Sequence, residues 1–256
     1  MNVALITGAS SGIGYELAKC HAKNKKDLVI VSRNIDSLNK VKEELESNYQ
    51  IKVVCIQKDL SNPSAPLELY NEIKELNIEV DYLINNAGAG LQGYFNEQDY
   101  SKYNSLIQLN INSLTELTHL FLNDFIKRKK GKILNVASIA AYHPGPMLSV
   151  YSATKSYVLS FSNAIAQEVK QYNISITTLI PGITQTNFGK SSNMNNTKVF
   201  KKTKSPIKVA EKGYKAMLKG KLNVKAGVSF KLGFLTKLAY ISPKWLCLKI
   251  TMYLQK

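Results

Sequence analysis

Tyr151 and Lys155 stand four residues apart in Tyr151-Ser152-Ala153-Thr154-Lys155. On a helix that spacing puts both side chains on one face, one turn apart. A free phenol loses its proton only near pH ~10. A neighbouring ammonium favours the phenolate and brings the group closer to the range where general acid–base chemistry works. The same spacing arises by chance in any lysine-rich helix, so the pair needs company. Ser138 supplies it, at the end of the apolar run Asn135-Val136-Ala137-Ser138. A hydroxyl there can donate to a substrate oxygen and orient it.

A second constellation lies at the start of the chain, in Thr7-Gly8-Ala9-Ser10-Ser11-Gly12-Ile13-Gly14. It follows a short apolar run and precedes an amphipathic stretch. Small residues let a diphosphate approach the backbone, and the first turn of the following helix offers free N–H groups and a positive dipole end. The bland alternative is a tight strand–helix turn with no ligand. Position between a strand and a helix favours the phosphate reading.

The elements that must position these residues alternate along the chain. Residues 3–6, 28–32, 51–56, 82–85, 132–137 and 174–180 read as strands, with 222–225 as an edge strand. Residues 12–25, 36–48, 63–76, 100–129, 150–171 and 206–219 read as helices. Such alternation builds right-handed βαβ units. The expected fold is α/β: a doubly wound, Rossmann-type parallel sheet of about seven strands with helices on both faces, in one domain over residues 1–256.

Composition sets the outer limits. The chain is 45% apolar and 20% charged, as in a folded globular protein. No secretory signal and no stretch of eighteen apolar residues is read from the sequence. Three scattered cysteines without a Cys-x-x-Cys fit a reducing, cytoplasmic setting. Three scattered histidines suggest no metal site. The net charge of +16 is unevenly placed: residues 198–256 hold 15 Lys and one acid, Glu211. Such asymmetry points to an acidic surface or ligand.

The spacing Gly-x-x-x-Gly-x-Gly with Thr7 before it differs from the Gly-x-Gly-x-x-Gly of ordinary dinucleotide folds and resembles the short-chain dehydrogenase/reductase family. Asn85-Asn86-Ala87-Gly88 is similar to that family's Asn-Asn-Ala-Gly signature. Asp59-Leu60 resembles its adenine-contacting pair, and Asn110 its helix asparagine. Pro181-Gly182-Ile183-Thr184-Gln185-Thr186 resembles its Pro-Gly…Thr segment. The likeness covers roughly residues 1–190.

It implies a catalytic set of Asn110, Ser138, Tyr151 and Lys155. Tyr151 moves the proton, Ser138 orients the oxygen, Lys155 fixes the ribose and lowers the Tyr151 pKa, and Asn110 holds a water linking Lys155 to solvent. It implies a dinucleotide held by Gly8, Ser10, Ser11, Gly12, Ile13, Gly14, Asp59, Leu60, Asn86, Ala87, Gly88, Tyr151, Lys155, Pro181, Gly182, Ile183, Thr184 and Thr186. The second strand ends in Ser32-Arg33 rather than in a carboxylate, which favours NADP(H) over NAD(H), because arginine pairs with a 2′-phosphate. The second basic residue that NADP-preferring members often carry in the glycine turn is Ser11 here.

The expected reaction interconverts a carbonyl and a secondary alcohol on a hydrophobic, sterol-like or acyl substrate. A 3-oxoacyl thioester reductase of lipid synthesis and a non-catalytic NADP-binding regulator are the alternatives. Tyr142, His143 and Met147 are expected to border the substrate, and residues 187–220 to form a lid. The C-terminal quarter loosely resembles a branch that includes sterol and long 3-oxoacyl reductases. Residues 227–256 read as a basic amphipathic extension that forms an oligomer contact, caps the pocket or lies on a membrane. No reader motif suggests nucleic acid. Family habit implies a homodimer or homotetramer.

Overall fold

The computed structural model describes residues 2–192, 203–228 and 243–255. Seven strands form one parallel sheet in the order β3-β2-β1-β4-β5-β6-β7. They are β1 (Val3–Thr7), β2 (Leu28–Ser32), β3 (Val53–Gln57), β4 (Val80–Asn85), β5 (Gly131–Val136), β6 (Ile174–Pro181) and β7 (Asn223–Ala226). The helices are α1 (Gly12–Ala22), α2 (Ile35–Tyr49), α3 (Ala65–Glu75), α4 (Tyr100–Ile107), α5 (Leu114–Arg128), α6 (Ser149–Glu168), the single turn α7 (Phe188–Ser191), α8 (Pro206–Leu218) and α9 (Lys244–Gln255).

Sheet burial explains the apolar runs. All five residues of β1 are buried, as expected of a strand covered on both faces. Alternate side chains feed two cores. Ala4, Ile6, Leu28 and Ile30 join one core with α1, α2 and α8. Val3, Leu5, Val29 and Val31 join the other with α3 and α5. The chain reverses its direction of travel across the sheet at β1, which pairs with both β2 and β4. Ligands of such sheets bind outside the carboxyl ends of the strands at this switch.

Two expectations need correction. The stretch expected as a lid includes α8, and α8 is core: Val209, Ala210, Tyr214 and Met217 are buried beside Leu17 and Ala18 of α1. His21 on α1 is fully buried between the Tyr214 hydroxyl and the Asn2 carbonyl, each 2.9 Å away. Burial pushes its imidazole down to about 4, so it is a neutral structural residue. The long helix expected over 100–129 is interrupted by a π turn at Gln108–Ser113. Residues 193–202 of the expected lid and 229–242 of the expected extension lie outside the described residues.

Candidate active site

The glycine turn is tied to the switch point by its neighbours. The Thr7 hydroxyl accepts from the main-chain N–H groups of Asn86 and Ala87, both at 3.0 Å. The Asn86 amide donates back to the carbonyls of Thr7 and Gly8 at 2.9 and 3.1 Å. The ends of β1 and β4 are therefore locked together. Gly8 and Gly12 sit at φ +67° and +59°, where only glycine is unstrained. A Cβ at Gly14 would meet the Gly8 carbonyl oxygen and the Asn86 amide. No side chain caps α1: Ser11 is the N-cap, its hydroxyl makes no capping bond, and no acid lies in the first turn. The first N–H groups are thus left to an anion, which is what a diphosphate requires.

The proposed catalytic residues converge on the same edge of the sheet. Ser138 follows β5, and its oxygen accepts from the Ala140 N–H at 3.2 Å. Its proton is then free to turn toward the Tyr151 phenol or a substrate oxygen beside it. Tyr151 is 8% exposed and packs against Leu148, Ala140 and Phe188. Burial pushes its phenol up to about 12, and the Ser138 hydroxyl pulls the other way. Lys155 lies one helical turn on, 5% exposed, and donates to the Val136 carbonyl at 3.0 Å. Burial pulls its ammonium down to about 8. The expected lowering of the Tyr151 pKa by Lys155 is therefore not seen. The Lys155 nitrogen lies 5.9 Å from the centroid of the Tyr151 ring, and desolvation of the phenolate is the larger effect.

Asn110 sits in the π turn, 1% exposed. Its side-chain oxygen accepts from the Ala89 N–H at 3.0 Å. Both side-chain protons are spent, on the Ala89 carbonyl at 2.9 Å and the Thr154 hydroxyl at 3.1 Å. Any water it holds must be a donor to one of its oxygens. Gly88 lies directly above this pair of residues: a Cβ there would come within 3.2 Å of the Asn110 oxygen and 3.3 Å of the Lys155 nitrogen.

At the other end of the edge, a cleft of about 290 Å³ has Arg33 and Ser61 on one side and Ser101, Lys102 and Ser105 of α4 on the other. Arg33 is the cation expected from the sequence. Lys102 is a second one that sequence reading missed, because it is separated from Arg33 by two strands and their crossovers. Ser32 turns its hydroxyl to the Asn34 carbonyl at 3.2 Å. Asp59 accepts from the Ser61 N–H and hydroxyl at 3.0 and 2.7 Å, a local turn that shapes this rim beside buried Leu60. After β6, Thr184 is buried and donates to the Gly182 carbonyl at 2.9 Å. Thr186 lies against the glycine turn: its methyl is 2.9 Å from a Cβ built on Gly12, and its hydroxyl oxygen accepts from the Phe188 N–H at 3.3 Å.

Tyr142 and His143 line a cleft of about 510 Å³ together with Ser149, Ser152, Ser156 and Leu248. By helical spacing, Ser149, Ser152 and Ser156 form one row along α6, next to the row of Tyr151 and Lys155. The Phe188 ring lies 5.6 Å from the Tyr151 ring, centroid to centroid. Met147 holds the rim through its carbonyl, which accepts from the Gly93 N–H at 2.9 Å. The Gln92 N–H donates to the Ser192 carbonyl at 3.1 Å, and the Gln92 amide to the Gln255 carbonyl of α9 at 2.7 Å. Among the described residues no group of His, Cys, Asp and Glu could hold a metal.

A family model described as short chain dehydrogenase matches residues 2–197. The chain is 32% identical over 193 residues to very-long-chain 3-oxoacyl-CoA reductase-B of Danio rerio, covering 73% of this chain and 61% of that protein. It is 35% identical over 198 residues to human 17-beta-hydroxysteroid dehydrogenase type 3, covering 75% and 62%. The matches thus span about three-fifths of these relatives' lengths. Among solved structures, a short-chain dehydrogenase from Sphingobium yanoikuyae in complex with NADPH superposes with a TM-score of 0.83 at 27% identity, over 88% of this chain and 87% of that one.

Proposed function

The chain belongs to the short-chain dehydrogenase family, and from that membership we propose that it is an NADP(H)-dependent oxidoreductase. It interconverts a carbonyl and a secondary alcohol on a lipophilic substrate. One observation carries the reading: a buried tyrosine, with Ser138 at its side and Lys155 one helical turn on, lies on the sheet edge that also holds an uncapped glycine turn. When bound along that edge, a nicotinamide cofactor supplies or takes up the hydride. The α1 N–H groups and Thr186 hold its diphosphate, Lys155 its ribose, and the backbone around Ile183 its carboxamide. Arg33 and Lys102 take the 2′-phosphate between them.

The chain's own residues do the rest. Ser138 and Tyr151 present two O–H donors to one substrate oxygen, which holds the carbonyl in place and polarises it. Tyr151 remains protonated through neutral pH, ready to give its proton to the developing alkoxide. In the reverse direction it must first lose that proton, so alcohol oxidation rises with pH while carbonyl reduction does not. The apolar surroundings of Leu148 and Phe188 keep water from competing.

The relatives' names divide between very-long-chain 3-oxoacyl-CoA thioesters and hydroxysteroids, each with a large apolar part, and a 3-oxoacyl thioester is the second reading. A panel of aldehydes, sterols, 3-oxoacyl thioesters and sugars, each with NADPH consumption as readout, tests the proposal. Turnover is expected with lipophilic ketones and is expected to fall by about 10²–10⁴-fold in Tyr151→Phe, with cofactor affinity kept. Tight NADPH binding without turnover of any substrate would instead favour the regulator.

A further inference from the structure

Helix α9 presents a surface that does not suit water. Trp245, Leu246, Ile250 and Tyr253 are 61%, 40%, 52% and 64% exposed. Trp245, Lys249 and Tyr253 follow one another at intervals of four, and Leu246 and Ile250 form the adjacent row, so all five share one side of the helix. The opposite side meets the body of the protein, where Leu248 closes the cleft against α6 and the Gln255 carbonyl takes the Gln92 amide. A helix covering a protein in water carries its polar residues outward. Here the outward side carries two aromatic and two aliphatic residues and one lysine.

Charge says what covers it. Residues 198–256 hold 15 Lys against one acid, and the Lys249 nitrogen stands 5.4 Å from the centre of the Trp245 ring. A second copy of this chain would bring an equally positive surface to the contact, with little acid from this quarter to answer it. An anionic bilayer offers negative headgroups for the lysines and an acyl boundary for the apolar rows, and tryptophan and tyrosine favour that boundary. No helix among the described residues is long and apolar enough to cross a membrane, so the contact is one of lying on the surface.

We propose that the outward side of α9, centred on Trp245, Leu246 and Ile250, docks this protein on the surface of an anionic lipid bilayer. The docked helix ends at Gln92, beside the Ser192 carbonyl that follows the Phe188 turn covering Tyr151. If the reductase reading holds, a lipophilic substrate therefore reaches the Tyr151 chamber from the membrane side.

The chain has one tryptophan, so its fluorescence reports on this face alone. With vesicles of phosphatidylcholine and phosphatidylglycerol at low salt, Trp245 emission is expected to shift to the blue and the protein to sediment with the vesicles. Pure phosphatidylcholine is expected to bind far less. Lys249→Gln is expected to reduce partitioning about fivefold. Ile250→Glu, which keeps the tryptophan, is expected to abolish the shift while turnover of a water-soluble ketone and the melting temperature stay unchanged. No shift with anionic vesicles, or an equal shift in Ile250→Glu, overturns the proposal. So does a dimer in light scattering that Ile250→Glu dissolves without any vesicle binding. None of these readouts needs turnover, so their failure is separate from failure of the reductase reading.

Discussion

Burial opposes the charged form of both Tyr151 and Lys155, and the two costs can be measured apart. Lys155 ionises at about 8 in the fold instead of 10.5. Below pH ~8 the buried ammonium is carried at full cost; between about 8 and 10.5 the unfolded chain binds the extra proton, so stability rises with pH. Lys155→Met removes that cost and loses one hydrogen bond to Val136. It is expected to gain about 2 kcal/mol at pH 7, with the gain vanishing above pH ~10, in urea titrations at several pH values. Activity is expected to collapse, since the stabilised variant has lost the group that lies beneath the tyrosine. Tyr151 and Lys155 were legible in the sequence because four-residue spacing is a local property of a helix. Lys102 was not, because only the folded sheet brings α4 opposite the end of β2. Arg33→Asp and Lys102→Glu are each expected to weaken NADPH binding about tenfold or more while leaving NADH little changed, as read by fluorescence titration.

At the level of elements, Thr7 and Asn86 act as a clasp between β1 and β4. Thr7→Val keeps the shape of the side chain but leaves two N–H groups without their acceptor. A loss of about 2–3 kcal/mol is expected in chemical denaturation, with weaker NADPH binding because the glycine turn loses its anchor. The sequence placed Thr7 and Asn86 in two separate motifs but did not join them, since Thr7 and the N–H groups it accepts from are 79 and 80 residues apart. The same limit explains α8. Its apolar spacing predicts a helix correctly, but a helix pattern does not say against what it packs. A Cβ at Gly213 would come within 2.7 Å of Leu179, a closeness that marks core packing on β6 rather than a lid.

At the scale of the whole molecule, the doubly wound parallel sheet was readable from strand–helix alternation because right-handed crossovers leave few arrangements. The cofactor edge then follows from topology, while the apolar side of α9 depends on which residues the rest of the fold leaves uncovered. The linkage between fold and ligand gives a direct check. At about a hundred times its dissociation constant NADPH is expected to add about 2.7 kcal/mol and to raise the melting temperature by about 5–10 °C. Gly14→Val, which fills the glycine cradle, is expected to lose that rise.

The contact between His21 and Tyr214 joins positions 193 residues apart. During synthesis at about 5–20 residues per second, α1 therefore waits about 10–40 s for its permanent cover. Throughout that interval the apolar face bearing Leu17 and Ala18 is open to any other nascent chain. That face has no permanent cover until α8 has left the exit tunnel, and truncations that remove α8 are expected to aggregate even though the nucleotide edge is already encoded.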